Sequence, residues 1–126
     1  MSHARNWKCT GTQRLWYAFI NSFNGLRLAL VTEAAFRQEV LLAAILIPAA
    51  LLLPIPLFSK GIMIASIVLV LTVEILNSAI EALCDLVCMD DHPLAKRAKD
   101  LGSAAVMMSL VLLAVVWIGA IVHYMV

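Results

Sequence analysis

Glu74, Asn77, Glu81 and Asp85 recur at spacings of three, four and four residues inside a strongly apolar run. At about 100° per residue on a helix, the four fall within an arc of roughly 80°. One face is therefore acidic, while Ile67, Val68, Leu71, Ile75 and Leu76 make the rest apolar. Several carboxylates on one face repel each other unless a cation or a shared proton relieves them. Glu74 and Glu81 stand about 10 Å apart along the helix axis, too far to share one ion directly, so two roles are implied. The carboxylate nearer the helix end suits a hydrated metal ion. Hard oxygen ligands favour Mg²⁺, which commonly uses one or two carboxylates plus substrate phosphates. The deeper carboxylate, in a less polar setting, suits a proton acceptor working near neutral pH. A buried interhelical hydrogen bond is the structural alternative for Glu74.

A second cluster follows close behind. The segment Asp90-Asp91-His92-Pro93 reads as a turn entering a new helix, with Asp91 or His92 as cap and Pro93 in the first turn. Lys96, Arg97, Lys99 and Asp100 then begin that helix and face the acidic stripe. Such basic residues can hold polyphosphate, or they can simply flank the cytosolic end of a membrane span. No GxxxxGK[ST] loop and no protein-kinase glycine loop occurs. The three cysteines, Cys9, Cys84 and Cys88, lack the spacing of a disulfide framework. Cys84 and Cys88, four apart, could touch a metal, but two small packing residues is the plainer reading. His3 and His123 sit near the termini as ordinary residues.

The elements that must position these residues are set by composition. Of 126 residues, 63% are hydrophobic and 13% charged, with a mean hydropathy of +0.98. A soluble domain needs far more polar surface, so the bilayer is the expected solvent. Three apolar stretches, Val40 to Phe58, Gly61 to about Leu83, and Ser103 to Val126, each suffice to cross a hydrocarbon core. Pro54 and Pro56 are expected to end the first, with Pro48 a kink or early break. A short Phe58–Gly61 link makes the first two spans an antiparallel hairpin. Before them, Leu15, Trp16, Phe19, Phe23, Leu26 and Leu30 recur at helical spacing among Arg14, Asn21, Asn24 and Arg27. That pattern predicts an amphipathic helix lying in the membrane interface or packed on protein. No signal peptide is visible, because the first long apolar run begins only near Val40.

The expected layout is one all-α membrane domain, with a surface helix at about 10–38 and spans at about 40–58, 61–85 and 101–124. Arg5, Lys8, Arg14, Arg27 and Arg37 precede the first span, Lys60 lies in the first link, and Lys96, Arg97 and Lys99 lie in the second. This alternation predicts a cytosolic N-terminus and an outward C-terminus. A chain this small encloses little cavity alone, so a catalytic site built with neighbouring subunits is expected.

Three stretches carry a resemblance. Glu33-Ala-Ala-Phe-Arg-Gln-Glu39, Val73-Glu-Ile-Leu-Asn-Ser-Ala-Ile-Glu81 and Ala98-Lys-Asp-Leu-Gly-Ser-Ala-Ala105, in this order, resemble the prokaryotic diacylglycerol kinase family from about Arg14 to Trp117. The resemblance implies a surface helix, three transmembrane helices and a homotrimer with shared active sites. Its activity is phosphorylation of diacylglycerol to phosphatidic acid by MgATP. Glu74 is then the base on the lipid hydroxyl, with Asn77 orienting the constellation. Glu33 and Glu81 hold Mg²⁺, and both belong to the ATP site with Arg14, Asp90, His92, Lys99 and Asp100. Lipid contacts fall to Arg14, Phe36, Arg37, Gln38, Glu39, Glu74, Ser103 and Trp117.

The chain departs from a familiar member at Asn21, Phe23 and Asn24, which replace Tyr, Trp and Lys, and at Leu86 and Cys88, which replace Arg and Gly. The related undecaprenol-phosphorylating branch usually lacks the Glu-Ala-Ala-Phe-Arg-Gln-Glu form, which favours diacylglycerol and a bacterial inner membrane with a periplasmic C-terminus. The alternatives are undecaprenol as acceptor, or a non-enzymatic proton or ion translocator using Glu74. No nucleic-acid partner is expected.

Overall fold

The structure, a computed structural model, describes residues 10–88 and 91–126. His3, Arg5, Lys8, Cys9 and Asp90 lie outside the described residues. Four helices follow one another: α1 (Thr12–Thr32), α2 (Ala34–Leu52), α3 (Leu57–Val87) and α4 (Pro93–Met125). Three of them, α2, α3 and α4, are long and apolar enough to cross a membrane.

The expected surface helix over 10–38 is two helices parted at Glu33. Gly11 precedes α1 at φ 65°, a conformation open to glycine without a Cβ clash. At the other end Glu33 is extended, with φ −108° and ψ 109°. The break is stabilised by Arg37, whose guanidinium donates to the carbonyls of Leu30 and Val31 at 3.0 and 2.9 Å. Those carbonyls belong to the last turn of α1, where no downstream amide serves them. Thr32 adds a bond from its hydroxyl to the Leu28 carbonyl. The apolar side of α1, including Leu15, Trp16, Phe19 and Phe23, is left uncovered by the rest of the chain.

Pro48 lies inside α2 and does not end it. A proline lacks the N–H that would serve the carbonyl four residues earlier, yet α2 continues to Leu52. The hairpin link is Leu53–Pro56, five residues ahead of the expected Phe58–Gly61. Proline disfavours a helical residue before it, and Leu53 before Pro54 is extended. Lys60 closes the joint by donating to the Leu51 carbonyl at 2.7 Å.

α3 and α4 run antiparallel, as their cross-contacts show. Ser59 meets Tyr124 at 3.0 Å, Trp117 Nε1 donates to the Met63 carbonyl at 3.2 Å, and Lys99 meets Asp85 at 2.7 Å. Later residues of one helix thus contact earlier residues of the other. The core lies between α2, α3 and α4 and contains Ala43, Ala50, Ile55, Met63, Ile67 and Trp117. At about 1.5 Å per residue, α3 is about 46 Å long, well beyond a hydrocarbon core of about 30 Å. α3 is thus longer than a single span requires.

Candidate functional site

The acidic stripe of α3 is graded in depth. Glu74 and Asn77 are buried at 5% and 8% exposure, Glu81 is half-buried and Asp85 is exposed. Only a helix passing from protein interior to open surface gives one face such a gradient. Burial of Glu74 comes from the flanking helices, since α3 packs on both α2 and α4. Glu39 of α2 faces Glu74 of α3. Glu39 Oε2 is buried with no hydrogen-bond partner. Glu33 and Glu81 lie close enough to repel Glu74 electrostatically. Glu33, Glu39 and Glu81 are thus the acidic neighbours of Glu74.

Glu33 reaches this cluster because the helix breaks at it. Its backbone serves both helices, donating to the Ala29 carbonyl and accepting from the Arg37 amide. Its side chain makes no capping bond, which leaves the carboxylate available. Asn77 Nδ2 donates to Glu81 Oε1 at 3.5 Å, while Asn77 Oδ1 is buried without a partner.

The basic cluster opens α4. His92 caps the helix, its Nδ1 accepting from the Leu94 amide at 3.1 Å, and Pro93 occupies the first turn. A missing proline N–H costs nothing there. Between this end of α4 and the end of α3 lies a cleft of about 610 Å³, whose polar lining includes Asp85, Asp91, His92, Lys96, Lys99 and Asp100. An apolar groove of about 420 Å³, with Leu83, Cys84, Val87, Cys88 and Leu94 on its walls, shares His92 with it. Lys99 pairs with Asp85 at 2.7 Å and Lys96 with Asp100 at 2.6 Å. Both pairs are solvent-exposed, and exposed ion pairs contribute little, so either lysine can exchange its carboxylate for another anion.

Several other expected site residues do not line this cleft. Arg14 is exposed on the first turn of α1 and is not among the cleft's lining residues. Phe36 and Trp117 are buried at 3% and 7% exposure, with Trp117 held in the core by its bond to Met63. Arg37 is committed to the end of α1. Gln38 and Ser103 are exposed. Asp85 was legible as part of the stripe, but its pairing with Lys99 needs the α3–α4 register.

Among the described residues, no group of three or more His, Cys, Asp or Glu side chains is arranged to hold a metal ion by itself. Glu33 and Glu81 offer hard oxygens at the half-buried rim of the cluster. This donor set fits an ion that completes its shell with substrate phosphates and water.

A family model described as prokaryotic diacylglycerol kinase matches residues 20–121. The chain is 48% identical over 108 residues to a diacylglycerol kinase of Pseudomonas aeruginosa PAO1, covering 86% of this chain and 88% of that protein. It is 42% identical over 108 residues to a diacylglycerol kinase of Escherichia coli K12, with the same coverage of 86% and 88%. A third relative, the diacylglycerol kinase of Haemophilus influenzae Rd, is 41% identical over 113 residues, or 90% of this chain and 96% of that protein. With three membrane-length helices and an acidic cluster beside a basic cleft, the chain belongs to the prokaryotic diacylglycerol kinase family.

Proposed function

We propose that this protein transfers the terminal phosphoryl group of ATP to the free hydroxyl of diacylglycerol, giving phosphatidic acid and ADP. One observation carries the reading. A buried carboxylate, Glu74, lies on the helix face that ends at a cleft lined by Lys99. A lipid hydroxyl held at membrane depth can reach the first while a soluble polyphosphate occupies the second. The hydroxyl oxygen attacks the terminal phosphorus, the bond to the bridging oxygen breaks, and Glu74 takes the hydroxyl proton. Asn77, one turn along, orients the carboxylates beside it through its bond to Glu81. Lys99 exchanges Asp85 for the phosphate oxygens and stabilises charge on the transferring group. Arg14, Asp90, His92 and Asp100 complete the nucleotide site in this reading.

Glu33 and Glu81 would hold Mg²⁺, which when bound neutralises phosphate charge and orients the nucleotide. Phe36, Gln38, Glu39 and Ser103 are the proposed neighbours of the lipid. The protein is proposed to sit in a bacterial inner membrane as a homotrimer, with its N-terminus cytosolic and its C-terminus periplasmic. The excess of lysine and arginine before α2 and in the first turns of α4 supports that orientation.

The test is a phosphotransfer assay on the purified full chain with MgATP, offering diacylglycerol and undecaprenol separately. Preferential formation of phosphatidic acid is expected. Transfer to undecaprenol alone would move the protein to the other acceptor. No lipid-dependent transfer to either would remove the kinase reading and leave translocation by Glu74.

A further inference from the structure

Asn77 on α3 faces Gly102 on α4. Its amide nitrogen points at Glu81, because a carboxylate only accepts hydrogen bonds and so selects the NH₂ end of the amide. The amide oxygen is thereby turned the other way, toward α4, where it has no hydrogen-bond partner. The residue that receives it is Gly102, buried on α4. A Cβ built on Gly102 would overlap Asn77 Oδ1, and the three atoms nearest to that Cβ all belong to the Asn77 side chain. Gly25, Gly61 and Gly119 differ: a Cβ on any of them meets nothing within 4 Å. Glycine in a helix interior is otherwise unfavourable. At this one position its lack of a side chain is what lets another side chain lie where it does.

We propose that Gly102 is a positioning residue for the reaction: it is the seat against which the Asn77 amide is held in the orientation that serves Glu81 and the neighbouring Glu74. This rests on the role given to Asn77 under the proposed function, and adds to it the element that fixes the amide. Backbone of α4 can approach the amide this closely only at a residue without Cβ. Lys99 lies one turn earlier on the same helix and pairs with Asp85. The α4 surface that seats Asn77 therefore also presents Lys99, so the acidic cluster and the cleft are registered by one helix.

The experiment compares Gly102→Ala, Asn77→Ala and the double variant in the full chain in detergent. Asparagine is labelled with ¹⁵N, and the Asn77 side-chain amide signal is identified by its loss in Asn77→Ala. Gly102→Ala should shift that signal and leave those of Asn21 and Asn24 in place. Phosphotransfer in Gly102→Ala should fall by about 10²-fold, the scale of a misplaced catalytic constellation. In the Asn77→Ala background the same glycine change should alter the rate by less than about 2-fold, because its target is gone. An unmoved Asn77 signal, or losses that simply multiply in the double variant, would overturn the proposal. If Gly102→Ala alone fails to fold, recovery of the fold in the double variant supports it. Failure of both to fold shows that the Cβ meets more than Asn77 and overturns it. An Asn77→Ala variant with full activity, beside a shifted signal in Gly102→Ala, would remove the catalytic role of Asn77 while the seat itself stands.

Discussion

Lys99 Nζ lies 2.7 Å from Asp85 Oδ1, joining the first turns of α4 to the last turns of α3 at the mouth of the cleft. The pair is exposed, 42% for Lys99 and 68% for Asp85, so the lysine is held in place without being locked there. If Lys99 neutralises the transferring phosphoryl group, Lys99→Ala should lose about 10²-fold or more in kcat/KM. Lys96, paired with Asp100 within its own helix, should tolerate alanine with far less loss. Steady-state rates of the two variants decide the matter. Equal losses would assign the phosphates to a diffuse basic patch.

Glu81→Gln should weaken binding of Mg²⁺ more than it disturbs the fold, because Glu81 sits half-buried at the rim and not in the packed interior. Excess Mg²⁺ should restore part of the rate. Titration of MgATP into the variant checks this, and unchanged affinity would end the ligand role.

Arg37 offers a different kind of test. Its guanidinium satisfies two carbonyls at the end of α1, and Glu33 occupies the break that follows. Arg37→Ala should let the last turn of α1 fray, seen as faster amide hydrogen exchange there, and should raise the Mg²⁺ requirement about 10-fold by misplacing Glu33. Unchanged exchange at α1 with a raised KM for lipid would return Arg37 to a direct lipid contact.

Much of this architecture was legible in the residues. Apolar run lengths announced the three membrane-length helices, and Asp91-His92-Pro93 announced the start of α4. The stripe of Glu74, Asn77 and Glu81 followed from spacing alone. The break at Glu33 was not legible, since no glycine or proline marks it. It depends on Arg37 reaching backward across six and seven residues, a side-chain choice that periodicity does not encode. Of the two outcomes expected at Pro48, a kink or an early break, the break does not occur, since α2 runs on to Leu52. The facing of Glu39 to Glu74 and the seating of Asn77 on Gly102 needed the registers of α2 and α4 against α3. Those registers are set by packing.

Trp117 separates a core role from a lipid role. Its ring is buried and its Nε1 bonds to the Met63 carbonyl. Trp117→Phe should therefore lower thermal stability by about 1 kcal/mol and leave KM for lipid unchanged. A stable variant with a raised KM would make Trp117 a substrate contact.

The central claim is that Glu74 accepts the proton of the lipid hydroxyl. Glu74→Gln keeps the side chain's shape and its hydrogen bonding while removing the basic oxygen. The decisive measurement is the rate of phosphatidic acid formation by this variant at saturating diacylglycerol and MgATP, in protein shown to retain its fold, its oligomeric state and its MgATP affinity. A fall of at least about 10² relative to the parent protein is predicted, within the range a positioned carboxylate base contributes. Turnover near that of the parent would contradict the account.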